Sequence, residues 1–555
     1  MPPIARFRPL VAALVLLACI PAAAPAFQPS MDAQARPEAA PDLTGRPGGA
    51  MLSTAWQSAA AECPVLPGAS AGPAPAPISA QEYAARRGAV AEAMEDGLLL
   101  VLGAPEPAAD YLPFSQRANF RYLTGITEPG AALIMEKRGA QVQELLFVLP
   151  RDPARETWEG RRLGAEGAQK LTGIPSTTAD RLAPELEARL PAHGTLYTVG
   201  GAPPPPGSGR FLAPEQQFIA RLLDARTHLG VRDLTPKLSE LRAHKSPAEI
   251  DLIRRAVHIT VLAHREAMRA TAPELNEFEI QALIEYTFRR HGSERPGFSS
   301  IVGSGPNSTT LHYNDNDRFM APDEVLLMDI GASYRGYTAD ITRTIPVDGT
   351  YSPPQREIYQ IVLDAVKAAE ALVRPGATWD QLNAAAEAVI ARGLAELGLI
   401  EAADATYRCE SPRFGMTCPQ YRLYFMHGMG HGIGLDVHDP EASYYGPVVS
   451  GSVFTMEPGV YIRADALDHL PDTPENRAMA QRLRPVLERY ANIGVRIEDN
   501  YLVTEGGFER LSSGAPREMD EVEALMREPG RVGTPRAAEV VEWYRKTEWM
   551  PERKP

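Results

Sequence analysis

From residue 78 onward the hydrophobic positions follow two different periods. SAQEYAARRGAVAEAM, beginning at Ser79, has helical spacing. GLLLVLGA, AALIMEK, ELLFVLP and TLYTVGG are short apolar runs bounded by turn residues, and these predict strands. Helical segments between and after them complete an α/β domain over residues 78–244. A second domain, residues 245–528, opens on Ser246-Pro247-Ala248-Glu249, a capping box with proline at the first helical position. Apolar residues follow it at Ile250, Ile253 and Val257. Another helix starts at Asn276, with Glu279 three residues on, and stops at Gly292; strand-like sequence then runs to about Pro346. The order returns once. Ser352-Pro353-Pro354-Gln355 and Thr378-Trp379-Asp380-Gln381 open two helices, and strand-like sequence continues to about Thr504. Helix, helix, strands, repeated, predicts a two-lobed sheet with pseudo-twofold symmetry, so the fold class expected is α/β (α+β).

The flanks differ in texture. Arg6 and Arg8 precede the apolar run LVAALVLLACI, which is too short for a stable membrane span and predicts an export signal over residues 1–26. Two processing routes compete: cleavage after Ala24-Pro25-Ala26, or lipidation of Cys19 in Leu16-Leu17-Ala18-Cys19. The bland alternative is a buried N-terminal helix. Residues 27–77, rich in Ala, Pro and Gly, predict a flexible tether, and residues 529–555 form a tail. The expected location is the periplasm or cell envelope, with a membrane tether through a lipidated Cys19; secretion is the alternative.

Composition adds little to the class and something to the partners. The chain is 44% hydrophobic and 23% charged, ordinary for a globular protein. Its formal charge of -14 argues against nucleic acid and for peptides, small molecules or cations. Beyond the signal only Cys63, Cys409 and Cys418 remain. Cys409 and Cys418 close a short loop that export would permit to be bridged, an unpaired surface pair being the other reading.

Candidate chemistry lies in the second domain. In EVLLMDIGASYRGYTADITRTIPV (324–347) two β-rich runs flank a hairpin turn. A turn centred between Tyr334 and Arg335 would set Asp329 opposite Asp340, with Cβ atoms about 4.5–5.5 Å apart. Opposed like charges in an apolar hairpin are destabilising unless a cation lies between them. Glu457 ends the apolar run SVFTMEPGVYI, and alternation in IGVRIEDNYLVT gives Arg496 and Glu498 a common face. If these four carboxylates converge, two divalent cations would neutralise them. HGMGHGIGLDVH (427–438) would then add a nitrogen ligand from His431. One imidazole among oxygens suits Mn²⁺, with Fe²⁺, Co²⁺ and Zn²⁺ as alternatives. Taken singly, an Asp in a strand is usually an edge or bulge feature and a His in a glycine-rich segment a structural residue. A phosphate loop is a poor match, since no Gly-Lys-Ser/Thr follows.

LHY (311–313), MDIG with TADITRT (328–344), HGMGHGIGLDVH, MEPGVY (456–461) and VRIEDN (495–500) together resemble the pita-bread metallopeptidases, and within them the Xaa-Pro aminopeptidases (aminopeptidase P). RANFRYLTGITEPGA, ETWEGRRLG and FSSIVGSGPNSTTLHY match that subgroup, and the resemblance spans roughly residues 78–528. It implies a creatinase-type N-terminal α/β domain and a C-terminal pita-bread catalytic domain. The metal ligands it implies are Asp329, Asp340, His431, Glu457 and Glu498. Asp340 and Glu498 would bridge two ions, Asp329 would bind one, and His431 and Glu457 the other.

The activity implied is release of the N-terminal residue from peptides with proline second, by attack of a metal-bridging hydroxide on the Xaa-Pro carbonyl. His312, His427 and His438 match outer histidines that contact substrate. His438 would stabilise the oxyanion, Glu457 would carry the proton with His312 assisting, Arg496 would orient Glu498, and Tyr461 would wall the proline pocket. The family also implies a homo-oligomer, dimer or tetramer, in which a neighbour reaches the active site. Trp158 is the candidate for that contact, against a core position. Rival readings are prolidase, a metal-free creatinase-like hydrolase and a non-catalytic binding protein. Residues 401–424, which carry Cys409 and Cys418, resemble an insertion beside the site that would trim the cleft; the tail with Trp543 and Trp549 has no clear family counterpart.

Overall fold

The computed structural model describes residues 74–530, apart from 109–111, 202, 204–211, 225–227, 412 and 441–445. The expected signal, Cys19, Cys63, nearly all of the tether, and Trp543 and Trp549 lie outside the described residues.

The predicted strands of the first domain join one six-stranded sheet. Its order is Ser176–Thr178, Gln141–Val148, Ala132–Arg138, Gly97–Leu102, Thr195–Thr198 and Gly230–Asp233. Gly97–Leu102 pairs antiparallel with Ala132–Arg138 and parallel with Thr195–Thr198. Its unbroken apolar run has a simple cause. Leu99 and Val101 enter one core cluster while Leu98 and Leu100 enter another, so both faces of the strand are covered. A core position for Trp158 is overturned. The helix Pro153–Glu159 buries none of its residues, and Trp158 is 82% exposed.

The four helix starts of the second domain all form capping boxes, at Ser246, Asn276, Ser352 and Thr378. They open the helices Pro247–Ala270, Glu277–Arg290, Pro353–Glu370 and Trp379–Glu396. Each such cap satisfies N–H groups that the first helical turn leaves unpaired, worth about 1 kcal/mol. The first helix buries Leu252, Ile253 and Val257, with Ile250 packed at the margin of the same core. After each helix pair come antiparallel strands: Ile301–Ser304, Val325–Ile330 and Ile341–Pro346 in the first half, and Val453–Met456, Asp499–Thr504 and Gly507–Arg510 in the second. Gly459–Ile462 pairs with Ile493–Arg496. The halves meet where the Glu498 amide donates to the Thr342 carbonyl at 3.1 Å and the Arg496 amide to Thr344 Oγ1 at 3.1 Å.

The hairpin that carries the two aspartates turns one residue later than expected. Tyr334 pairs with Tyr337, so Arg335 and Gly336 form the turn, with φ of 49° and 81°. Two successive left-handed residues give the strand twist a two-residue hairpin needs, and glycine takes the more positive angle without strain. The register therefore slides by two, and Asp329 faces Thr342, not Asp340. A slide of two preserves the face, so Asp340 sits diagonally across from Asp329 on the same side.

The region of residues 401–424 forms a hairpin, Thr406–Ser411 with Gly415–Pro419, closed by a Cys409–Cys418 disulfide. Its root is held by Asn476, whose side chain pairs with both the amide and the carbonyl of Arg408.

Candidate metal centre

Five elements bring their polar residues to one cleft. Val325–Ile330 carries Asp329, and the segment between Thr338 and Ile341 carries Asp340. Glu457 follows Val453–Met456, and Glu498 lies between Ile493–Arg496 and Asp499–Thr504. The histidine segment 427–438 is neither helix nor regular strand, yet it is fixed like one. The Thr455 amide donates to the His431 carbonyl and the Glu457 amide to the Met429 carbonyl, each at 2.7 Å. Gly430 permits this approach, because a Cβ there would overlap the Thr455 carbonyl.

Asp329, Asp340, His431, Glu457 and Glu498 all line a cleft of about 1410 Å³, together with Arg496, His312, His427 and His438. Ligand atoms of Asp340, His431 and Glu498 lie within 4.8 Å of one another. His431 Nε2 is 3.5 Å from Asp340 and 3.6 Å from Glu457. Asp329, Asp340 and Glu498 are buried, and each holds one oxygen without a hydrogen-bond donor. Such atoms are costly to bury unless something else neutralises them.

The electrostatics agree. Burial, with Glu498 and Asp329 adding to it, raises Asp340 well above the carboxylate range, and burial with Glu457 and Asp329 does the same to Glu498. Burial raises Glu457 to about 8 even though Arg496 opposes it. Burial lowers His431 to about 4, leaving a neutral imidazole able to ligate. Crowded carboxylates that resist ionising together, unpaired inward oxygens and a neutral imidazole are a donor set that divalent cations fit.

The neighbouring side chains differ in role from the sequence expectation at three points. Tyr461 does not wall the cleft. It is fully buried, with its hydroxyl 2.8 Å from His427 Nε2 and 2.8 Å from Arg496 Nη1. Alternation along a short buried strand could not tell which side would face the cleft. His427 lines the cleft, but Nδ1 is 2.7 Å from the Gly428 carbonyl. Nδ1 therefore donates and Nε2 accepts from Tyr461, so both ring nitrogens are engaged by protein atoms. His312 and His438 are the exposed imidazoles of the cleft, and the His438 ring lies 4.3 Å from that of His431.

Arg496 does not bond Glu498 directly. It donates to Asp329 at 2.6 Å and to Thr342 Oγ1 at 3.2 Å, and the Thr342 hydroxyl donates to Glu498 at 2.7 Å. Glu498 shares its face but is one pleat further along, so the long guanidinium reaches the adjacent strand instead. No motif in the sequence marks Thr342 for this role. The alternation Asp340, Thr342, Thr344 in TADITRT was the available signal. Among the described residues, the hairpin of residues 401–424 contributes none to the cleft.

The chain matches two family descriptions: "Metallopeptidase family M24" over residues 251–505 and "Aminopeptidase P, N-terminal domain" over residues 83–197. It is 39% identical over 421 residues to the Xaa-Pro aminopeptidase of Haemophilus influenzae, covering 75% of this chain and 89% of that protein. It is 34% identical over 460 residues to the Xaa-Pro aminopeptidase of Escherichia coli, covering 81% and 98%. Among solved structures, aminopeptidase P from E. coli with the inhibitor Pro-Leu superposes with a TM-score of 0.68 at 33% identity, covering 81% of this chain and 99% of that one. Carrying both family matches and aligning with these relatives over nearly their full length, the chain belongs to metallopeptidase family M24, in its aminopeptidase P group.

Proposed function

We propose that the protein is a dinuclear-metal aminopeptidase that releases the first residue from peptides with proline second. The observation that carries this is the cleft itself, where buried carboxylate oxygens without donors face a neutral His431. The Xaa-Pro aminopeptidase identity of its relatives supports the substrate class.

With Asp329, Asp340, His431, Glu457 and Glu498 as ligands, two divalent cations, best matched by Mn²⁺, would polarise the carbonyl and supply a water that ionises near neutral pH. The chain's own groups do the rest. His438, exposed beside His431, donates to the oxygen on which negative charge grows. Glu457 carries a proton toward the leaving proline nitrogen, and His312, exposed in the same cleft, assists. Arg496 holds Asp329 directly and Glu498 through Thr342. The nitrogen of an Xaa-Pro bond has no hydrogen, so shape must align it. The apolar residues Phe298, Ile301, Leu311 and Val437 of the cleft wall receive the pyrrolidine ring.

Two further elements belong to this proposal. Export to the periplasm or envelope is supported by the basic and apolar leader, processed either after Ala26 or by lipidation of Cys19. Assembly into a homo-oligomer follows from the family resemblance, and the exposed Trp158 is free to make the contact with a neighbour.

The test is hydrolysis of an Xaa-Pro-Pro tripeptide beside the matching Xaa-Pro dipeptide, on chelated protein re-titrated with Mn²⁺. Metal-dependent release of the first residue from the tripeptide, faster than from the dipeptide, is expected. Dipeptide-only cleavage would make it a prolidase, and no cleavage by folded, metal-loaded protein would overturn the proposal.

A further inference from the structure

The N-terminal domain passes into the catalytic one through the helix Thr235–Ala243, which carries Arg242 in its last turn, and through Lys245, next to the cap Ser246. Both cations are buried, and both bond the Asp439 carboxylate. Lys245 Nζ donates to Asp439 Oδ2 at 2.9 Å and to the Arg242 carbonyl at 2.6 Å. Arg242 Nη2 bonds Asp439 Oδ1 and also Asp436, and its Nη1 donates to Asn119 at 2.6 Å. The Asp439 side chain is 1% exposed, so its charge is tolerable only because these cations face it.

Asp439 directly follows His438, and its surroundings tie it to the metal site. Its amide donates to the Gly432 carbonyl at 2.8 Å, and Gly432 follows the ligand His431. Its carboxylate also accepts the Asp436 amide at 3.1 Å. Gly434 packs so close that a Cβ there would crowd the same carboxylate. The loop 432–439 is thus closed around one buried anion, whose counter-charges come from the other domain's end and the junction.

We propose that Arg242 and Lys245 are positioning residues that clamp Asp439 and thereby hold His438 at the reaction centre, making the domain junction part of the active site. This rests on the aminopeptidase reading for the role of His438. A misplacement of about 1 Å at a reacting group can lower a rate by about 10²-fold.

The test uses the full chain with Lys245→Met, Asp439→Asn, Lys245→Arg and Arg242→Lys, and Glu136→Gln as a control remote from the cleft. For Lys245→Met and Asp439→Asn, kcat on Xaa-Pro-Pro should fall by about 10²-fold with KM within about threefold. Bound Mn²⁺ should be unchanged. Lys245→Arg should recover part of the rate, and Glu136→Gln should leave kcat as it is. In metal-free protein, hydrogen exchange at the Asp436 and Asp439 amides should accelerate while the strand Val325–Ile330 keeps its protection. Wild-type kcat and exchange in folded Lys245→Met would overturn the clamp, as would an equal kcat loss in Glu136→Gln. If Lys245→Met does not fold, Arg242→Lys, which keeps the charge, decides by the same two readouts. If the wild type cleaves neither peptide, the functional proposal fails, and exchange still decides the clamp.

Discussion

Arg343 carries the largest single effect that the structure predicts. Its side chain is wholly buried, and all five of its N–H groups are used. Nε donates to the Pro516 carbonyl at 2.8 Å. Nη1 donates to the carbonyls of Thr342 at 2.8 Å and Glu498 at 2.7 Å, and Nη2 to Asp499 at 2.6 Å and the Ala515 carbonyl at 3.0 Å. Arg343→Met keeps much of the volume but removes the charge and every donor. Asp499 keeps Arg517 at 2.9 Å and Ser512 at 2.6 Å, which limits the damage on the anion. Removing one partner of a buried pair costs about 3–5 kcal/mol, and each stranded carbonyl adds to it less than independently, so about 4 kcal/mol is expected. For a catalytic domain of roughly 280 residues the unfolding entropy is ~0.6 kcal/mol/K, which makes the fall in thermal midpoint about 7 °C. Circular dichroism at one fixed scan rate measures it, since unfolding of a chain this size is commonly irreversible. Because both partners are fully buried, the loss should persist in about 0.5 M salt. A fall below about 2 °C, or one that salt abolishes, would refute the assignment.

Glu136 links stability to pH. Burial would raise its carboxyl, but hydrogen bonds from His193, Arg138 and Arg189 outweigh that and hold it at about 2. A folded value below the ordinary 4.5 means the contribution is complete above about pH 4.5 and lost as pH falls toward 2. Glu136→Gln should therefore flatten the acid side of the stability profile, and an unchanged slope in acid titration would contradict it. Tyr461→Phe should lower kcat about tenfold with KM nearly constant, since it removes a hydrogen bond that orients His427 and not a wall of the pocket. A selective rise in KM on the tripeptide would restore the wall assignment. Reducing the Cys409–Cys418 bond should destabilise by about 2.5 kcal/mol, given the short loop it closes. Since no described residue of the hairpin lines the cleft, kcat should remain within about twofold; a midpoint indifferent to dithiol would argue against any stabilising role.

Local rules made much of this architecture readable in advance. Capping boxes involve residues three apart, so Ser246, Asn276, Ser352 and Thr378 announced their helices and, with them, the internal repeat. Period-two alternation put Asp329 and Asp340 on one face, and that survived a turn placed one residue off because the register moved by two. Charge density in apolar strands points to cations without reference to any contact. What alternation cannot supply is which side of a buried strand looks into a cleft, so it leaves open that Tyr461 lies behind the wall and that Arg496 reaches Glu498 only through Thr342 while bonding Asp329 directly.

The sequence by itself determined the elements and the repeat, because caps, turns and pleat parity act over a few residues, and its family resemblance picked out the acids and imidazoles that line the cleft. Only the tertiary structure decided what those side chains lean on. Lys245 meets Asp439 across 194 positions and Arg343 meets Asp499 across 156. Such pairs leave no periodic trace in the chain. They exist because burying an ion is tolerable only beside its counter-ion, and packing alone chooses which one that is.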